Sequence, residues 1–518
     1  MFTVLGVLLG VFIMQAILNT TAFGKNDIRG LFPSQVNSEL FFYTARGYAK
    51  WALEQFKKVG KETKYTDLCF SVTMDARLHS PELKSALLDG LTSIGVNVLD
   101  IGMAPTPMGY YSEFARLEES ILFGLKVNGA LIITASHNPS EYNGLKMTFG
   151  GMSLNEGQIQ EVKNYTLEAY EAKENAGLRN IQHGILVEES ITEKYIEKIS
   201  NNFGRVGEGI KVVVDSANAT GGVVAPKLYR ELGCEVVELF SEPDGNFPNH
   251  HPNPSDEKTL DTLKKTVLET GADCGIAFDG DSDRIGVVTP DGNAISGDKL
   301  LLIYALDLIK ELTPRGEKLT VVSEVKCSQV LYDTINQAGG EAIMWKTGHG
   351  YIKSKMRETK ALLAGEMSGH VFFKDRYYGF DDAVYAGCRL IEIIAKNKKN
   401  NPKFLLQDLL TPFDGTFLLN EGRIKCPNEI KKPVLEDLAQ YIDENPNLFG
   451  KEILEIITID GLRIIFDDGF AIIRQSNTEP VFTLRFESKT SQAQCEHYRD
   501  VLEAKVDELK CRHLPSSP

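Results

Sequence analysis

Three stretches of the chain repeat one order of apolar and polar positions. Residues 69–102 (CFSVTMDARLHSPELKSALLDGLTSIGVNVLDIG), 210–240 (IKVVVDSANATGGVVAPKLYRELGCEVVELF) and 319–348 (LTVVSEVKCSQVLYDTINQAGGEAIMWKTG) each open on an apolar run. That run ends in an acidic residue, Asp75, Asp215 or Glu324. A polar turn, a helical segment, a glycine (Gly95, Gly233, Gly339 with Gly340) and a second apolar run follow. This order predicts a βαβ unit, and roughly thirty residues is the length at which a right-handed crossover closes a parallel pair. Beyond Thr411 the period changes. Residues 454–488 (LEIITIDGLRIIFDDGFAIIRQSNTEPVFTLRFES) alternate as strands across Asp-Gly turns, and a charged helix is predicted over 491–510. The expected fold class is α/β, with three tandem α/β domains of similar topology plus a C-terminal α+β domain with a small antiparallel sheet. The expected divisions are an apolar segment 1–22, then 23–186, 187–296, 297–411 and 412–518.

Composition narrows the function. Of 518 residues 42% are hydrophobic and 25% charged, which suits several packed domains and argues against global disorder. The 71 acidic residues outnumber the 56 basic ones, for a formal charge of −15. With no segregated basic run, such a surface repels a phosphate backbone and excludes nucleic acid as a partner. The eight cysteines show no CxxC or other metal-ligand spacing, which predicts reduced core thiols and a cytoplasmic location. Residues 2–18 (FTVLGVLLGVFIMQAIL) are apolar apart from Thr3 and Gln15. A start at Met14, a membrane anchor through residues 2–18 and a cleaved signal all remain open; the segment is short for a bilayer span and has no basic n-region.

Four loops carry polar groups that their strands do not need. In residues 129–147 (GALIITASHNPSEYNGLKM) a buried-strand run stops at Thr134, Ser136 and His137, and Asn138-Pro139 and Asn143-Gly144 mark turns. In residues 278–288 (FDGDSDRIGVV) Asp279, Asp281 and Asp283 alternate directly after an apolar strand. An extended backbone points alternate side chains one way, so three carboxylates converge. Their repulsion forces protonation unless a cation neutralises them, and hard oxygen donors suit Mg2+. A calcium-binding EF-hand also begins D-x-D-x-D, but it requires Gly where Arg284 stands and Glu where Pro290 stands. An acidic solvated turn is the plainer alternative. In residues 363–373 (LAGEMSGHVFF) Glu366, Ser368 and His370 recur at period two, a set suited to adjacent sugar hydroxyls or to capping a turn. Finally Arg474, Ser476, Asn477 and Thr478 sit in a tight connection between strands, where an arginine fork with hydroxyl, amide and backbone donors matches a phosphate dianion.

Together with DIRG (27–30), NGLK (143–146) and KTGH (346–349), these motifs run in an order that resembles the α-D-phosphohexomutase superfamily, most closely its bacterial phosphomannomutase/phosphoglucomutase branch. The resemblance implies four domains and an intramolecular phosphotransferase. Such an enzyme converts hexose 6-phosphates and hexose 1-phosphates, of mannose and/or glucose, through a phosphoserine and a bound hexose 1,6-bisphosphate. It casts Ser136 as the phosphoserine, His137 as a phosphate or substrate contact and Lys146 as the general acid–base. Arg29, expected in a loop, would face the transferring phosphate, and Arg284 would add a second cation. Mg2+ would be held by Asp279, Asp281, Asp283 and a phosphoserine oxygen on Ser136. Lys326 and His349 would contact substrate at strand ends, Glu366, Ser368 and His370 would meet the sugar, and Arg474, Ser476, Asn477 and Thr478 would cradle the far phosphate. A lysine acid–base needs a pKa lowered by neighbouring cations, or a short proton path to phosphate. The partners implied are small sugar phosphates, with a monomer or weak dimer expected. Ser282 stands where many relatives have Gly. The alternatives are a phosphoglucosamine mutase, which usually has Gln at the position of Met367, an Mg2+-dependent sugar-phosphate phosphohydrolase, and a non-catalytic sugar-phosphate-binding protein.

Overall fold

The computed structural model describes residues 18–115, 126–172, 183–476 and 479–514. The apolar stretch to residue 17, and with it the anchor expected from residues 2–18, lies outside the described residues. Among the described residues no helix is long and apolar enough to cross a membrane.

Three sheets share one strand plan. In the first, Cys69–Met74 lies between Asn97–Met103 and Gly129–Ile133, all parallel, and Tyr142–Phe149 returns antiparallel to Gly129–Ile133. The second sheet sets Lys211–Asp215 between Glu235–Leu239 and Cys274–Phe278, with Ile285–Val288 returning. The third sets Thr320–Glu324 between Glu341–Trp345 and Leu363–Gly365, with Val371–Phe373 returning. The repeats read in the sequence are the first strand, crossover helix and second strand of each sheet, with helices Ser80–Thr92, Ala225–Glu231 and Gln329–Gln337 as the crossovers. A third strand then pairs on the far side of the first, and the chain hairpins back. Three of the four polar loops are these hairpins. They leave the carboxyl ends of parallel strands, the edge where α/β sheets bind ligands.

The last sheet is antiparallel. It is built from Phe417–Leu418, Gly422–Lys425, Glu455–Ile457, Leu462–Phe466, Gly469–Gln475 and Val481–Ser488. Helices Asn428–Glu444 and Gln492–His513 bury Val434, Leu438, Tyr498 and Leu502 in its own core. The first three units, by contrast, share one continuous apolar cluster that includes Leu99, Met108, Val212, Ile276, Leu301 and Tyr385. The fourth meets the third through Val325, Phe470 and Ile472. Buried Arg463 reinforces that contact: it donates to the carbonyls of Val325 and Cys327 and stacks 3.6 Å over the Phe470 ring. All eight cysteines are unpaired, seven of them buried and Cys511 exposed.

Candidate active site

Ser136 follows the strand Gly129–Ile133 and takes a left-handed backbone, φ 51, that other L-residues seldom adopt. Such a conformation costs on the order of 1 kcal/mol and persists where surroundings impose it. Its N–H donates to Thr134 Oγ1 at 2.8 Å. The hydroxyl crosses to the second unit, donating to Asp279 Oδ2 at 2.8 Å, and stands 3.1 Å from His137 Nδ1.

Asp279, Asp281 and Asp283 are buried and bring ligand oxygens within 4.8 Å of one another. They do so on a turn rather than on the extended backbone expected: Ser282 is left-handed at φ 59, so the chain folds back and gathers the carboxylates. The Ser282 hydroxyl leaves that face and lies 3.5 Å from Thr220 Oγ1. Thr106 of the first unit donates its hydroxyl to Asp281 Oδ2 at 2.5 Å and its N–H to the Asp281 carbonyl at 2.8 Å. Lys146, on Tyr142–Phe149, bridges Asp281 Oδ2 and Asp283 Oδ2 at 2.5 Å each. Among the described residues the second oxygen of Asp281, Oδ1, is buried without a hydrogen-bond donor, and that of Asp283, Oδ1, is buried with the His370 ring nitrogen 3.4 Å away. A buried carboxylate oxygen left open in this way fits a hard divalent cation.

Charge is divided unevenly across the cluster. Burial, then Asp281 and Asp283, push the Asp279 carboxyl well above its ordinary range. At Asp283 burial is outweighed by Lys146 and His370, which hold it well below. Burial likewise opposes the Lys146 ammonium, yet Asp281 and Asp283 raise it well above the lysine value. Of the two routes open to an acid–base lysine, a lowered pKa or a short proton path to phosphate, this environment opposes the first.

Gly280 backs directly onto the serine loop, and a Cβ there would stand 2.4 Å from the Ser136 carbonyl oxygen. Gly280→Ala therefore separates the two loops. We expect kcat to fall by about 100-fold, the scale on which a misplacement of ~1 Å acts. Steady-state assays with glucose 1-phosphate check this, and an unchanged kcat would show that the backbone contact does not set the geometry.

The third loop is also a turn, not a strand continuation, because Gly369 at φ 92 reverses the chain between Glu366 and His370. His370 Nδ1 lies 3.0 Å from Glu366 Oε2 and 2.9 Å from Ser368 Oγ, and its Nε2 lies 3.4 Å from Asp283 Oδ1. Burial opposes its charge, but Asp283 and then Glu366 raise the imidazole to about 9. His349, opening helix His349–Thr359, stacks on it with centroids 5.6 Å apart. Burial, then Lys353 and His370, lower His349 well below the histidine range; burial, then Arg284 and Arg29, do the same to His137. Arg284 pairs its backbone with His370 and sets Nη1 3.5 Å from His137 Nε2. Glu366 Oε1 accepts the Gly348 N–H at 2.6 Å.

Arg29 is not in a loop. It lies on the edge strand Ile28–Leu31, opposite Gly144, because this short run pairs with a strand remote in sequence. Its guanidinium reaches Asp27 Oδ2 at 2.5 Å and Asn138 Oδ1 at 2.9 Å. In the fourth loop Arg474 Nε donates to Asp460 Oδ2 at 3.0 Å, an oxygen that also accepts the Thr347 N–H at 3.0 Å. Arg474 Nη2 is buried with no acceptor among the described residues. The Ser476 hydroxyl accepts the Glu479 N–H at 3.1 Å, and Lys326 Nζ lies 2.8 Å from Glu421 Oε2. Asn477 and Thr478 lie outside the described residues.

Several supporting residues escaped the sequence reading. His250, in NHHPNP (249–254), binds Asp215 at 3.1 Å, and Ser255 next to it donates to the Ser368 carbonyl at 3.0 Å. Adjacent histidines between prolines were the available signal. Asp381 faces His349 at 3.4 Å and holds Lys353 at 3.0 Å, while Lys353 also reaches Ser153 of the first unit at 2.7 Å. Thr106 carried no signal, and Asp460 was legible only as part of an Asp-Gly turn.

A serine hydroxyl beside an open acidic triad, ringed by cations and linked to an arginine loop, belongs to an enzyme of phosphoryl transfer. Family descriptions match along the chain: phosphoglucomutase/phosphomannomutase alpha/beta/alpha domain I over residues 20–173, domain II over 193–292, domain III over 296–413, and the C-terminal domain over 421–505. A phosphomannomutase/phosphoglucomutase of Pseudomonas syringae pv. tomato is 38% identical over 95% of this chain and 96% of its own. A phosphoglucomutase of Neisseria gonorrhoeae is 40% identical over 92% of this chain and 95% of its own. The crystal structure of a family protein from Burkholderia thailandensis, 35% identical, covers 95% of this chain and 98% of that one with a TM-score of 0.81. The chain belongs to the phosphoglucomutase/phosphomannomutase family.

Proposed function

We propose that this chain interconverts hexose 1-phosphates and hexose 6-phosphates of glucose and mannose, with Ser136 as the carrier of the transferred phosphoryl group. The observation that carries the proposal is the Ser136 hydroxyl, 2.8 Å from Asp279 at a buried acidic triad in which Asp281 Oδ1 is open. Each of the four domains we assign, 23–186, 187–296, 297–411 and 412–518, contributes one loop.

Phosphoryl transfer asks a protein for position and charge more than for covalent work. Asp279, Asp281, Asp283 and an oxygen of phosphorylated Ser136 would hold Mg2+, which when bound draws charge from the phosphoryl group. Arg29 and Arg284 bring guanidinium groups to the same end of the cleft, and neutral His137 offers a ring N–H. Lys146, whose Nζ lies between Asp281 and Asp283, is the general acid–base in this reading. His370, between Glu366 and Asp283, couples the sugar loop to the acidic turn. His349, Glu366 and Ser368 take sugar hydroxyls. Arg474, with loop 476–478 and Lys326, holds the phosphate that is not being transferred.

The two phosphates of a hexose 1,6-bisphosphate lie at opposite ends of the ring, so the intermediate must turn over inside the site before returning the other phosphate. Contacts to O3 and O4 survive that turn and leave C2 unread, which supports acceptance of both gluco and manno sugars. Arg474→Ala should then weaken glucose 1-phosphate and glucose 6-phosphate alike. Loss of a bidentate charge-assisted contact costs on the order of 2–4 kcal/mol, or about 30- to 1000-fold in kcat/KM. Free hexose 1,6-bisphosphate should also appear in the medium. Impairment toward one isomer alone, with no leaked bisphosphate, would assign Arg474 to a one-orientation site.

A further inference from the structure

The strand-end carboxylates that mark the repeats take no part in the chemistry above, and Asp75, Asp215 and Glu324 are all buried. In the first unit the carboxylate serves a second buried charge. Arg77 is 1% exposed, and its five N–H groups meet five acceptors. Nε donates to Asp75 Oδ2 at 3.0 Å. Nη1 donates to the carbonyls of Pro139 at 2.5 Å and Tyr142 at 3.0 Å. Nη2 donates to the carbonyls of Ser136 at 2.9 Å and Asn138 at 2.6 Å. Asp75 Oδ1 in turn accepts from Ser80 Oγ at 2.7 Å, and that hydroxyl accepts from Asn143 Nδ2 at 2.9 Å. One guanidinium thus turns four carbonyls of the serine loop inward, including that of the left-handed Ser136. A planar fork with fixed donor directions suits this task, and a single ammonium point charge does not.

We infer that Arg77 is a positioning residue for phosphoryl transfer: it holds residues 136–142 in the conformation that sets Ser136 Oγ against Asp279, without itself touching substrate. The inference rests on the proposal that Ser136 carries the phosphoryl group. Sugar phosphates are gripped by the third and fourth units, so releasing the loop lowers turnover and leaves substrate affinity in place. A phosphoserine freed from its register also loses its group to water more readily. In that reaction the P–Oγ bond breaks, a water oxygen bonds to phosphorus, one water proton ends on Oγ, and inorganic phosphate leaves.

The test compares Arg77→Ala and Arg77→Lys with the unaltered chain, using glucose 1-phosphate with glucose 1,6-bisphosphate present. For Arg77→Ala kcat should fall by about 100-fold, with KM within about threefold. Arg77→Lys should fall nearly as far, since it keeps the charge and loses the fork. Guanidinium ion should recover about tenfold of the lost kcat in Arg77→Ala and none in Arg77→Lys, because only the first leaves room for a planar cation. Intact-protein mass spectrometry should show the phosphate on Ser136 decaying faster in both variants. Should Arg77→Ala not fold, the kcat-against-KM split and the phosphate lifetime of Arg77→Lys decide alone. Full kcat in either variant overturns the inference, as does a KM that rises in step with lost thermal stability and ignores guanidinium. An unaltered chain that never carries phosphate on Ser136 overturns the underlying proposal instead, a result distinguishable from all of these.

Discussion

Ser136→Ala is expected to remove mutase turnover and leave the fold in place. The side chain is small, and its hydroxyl donates to Asp279 Oδ2 at 2.8 Å and stands 3.1 Å from His137 Nδ1. Alanine retains the Cβ and the same left-handed backbone, so little is strained that was not strained before. What disappears is the atom proposed to accept the phosphoryl group. A covalent route without its acceptor should lose at least about 10³-fold in kcat. The check is a coupled assay beside a thermal unfolding curve, with intact mass reporting whether any phosphate remains. A fully active alanine variant with a stable phosphate on another residue would overturn the assignment of Ser136.

The second large effect concerns the acidic turn. Asp281→Asn keeps shape and can still accept from Thr106, but it removes a charge from a cluster in which Lys146 is the counter-ion on that oxygen among the described residues. Chelation should stop turnover, and Asp281→Asn should lower kcat by about 100- to 1000-fold while KM changes by only a few-fold. The separation matters because the cation is proposed to act on the transferring group, and Glu366 and Arg474 are proposed to grip the rest of the sugar phosphate. Titration with Mg2+ after chelation should restore the unaltered enzyme and not the variant. A rate indifferent to chelation would remove the metal from the mechanism.

How far the sequence could be read depended on how local each signal was. The βαβ repeats were legible because a strand, its crossover helix and the next strand are contiguous and differ in period. The Asp-Gly turns announced the last sheet for the same reason. The place of Gly129–Ile133, Cys274–Phe278 and Leu363–Gly365 beside the first strand of each sheet was not legible, because pairing between strands far apart leaves no trace in periodicity. Arg29 was misplaced in a loop on that account: its strand exists only because Tyr142–Phe149 lies alongside. The acidic and sugar-loop triads were found through period two, yet the backbone there is turned, with Ser282 and Gly369 left-handed. Alternation and a tight reversal both bring these residues to one side, so they converge as expected by a backbone geometry that was not expected. Asp75 was singled out as a repeat marker, but its work shows only with Arg77 folded beneath the serine loop. Buried polar partnerships of this kind depend on tertiary contact, and residue type alone does not reveal them.

The candidate site residues come from four sheets, from Arg29 on the first to Arg474 on the last. A chain growing out of the ribosome therefore makes three sheets before the final grip on its ligand exists. Ligand can stabilise only a state that binds it. Until the last antiparallel strands are laid down, substrate lends the nascent protein no help against unfolding or misassembly. The shared apolar cluster of the first three units answers that interval, since it holds the unfinished enzyme together while there is nothing yet to bind.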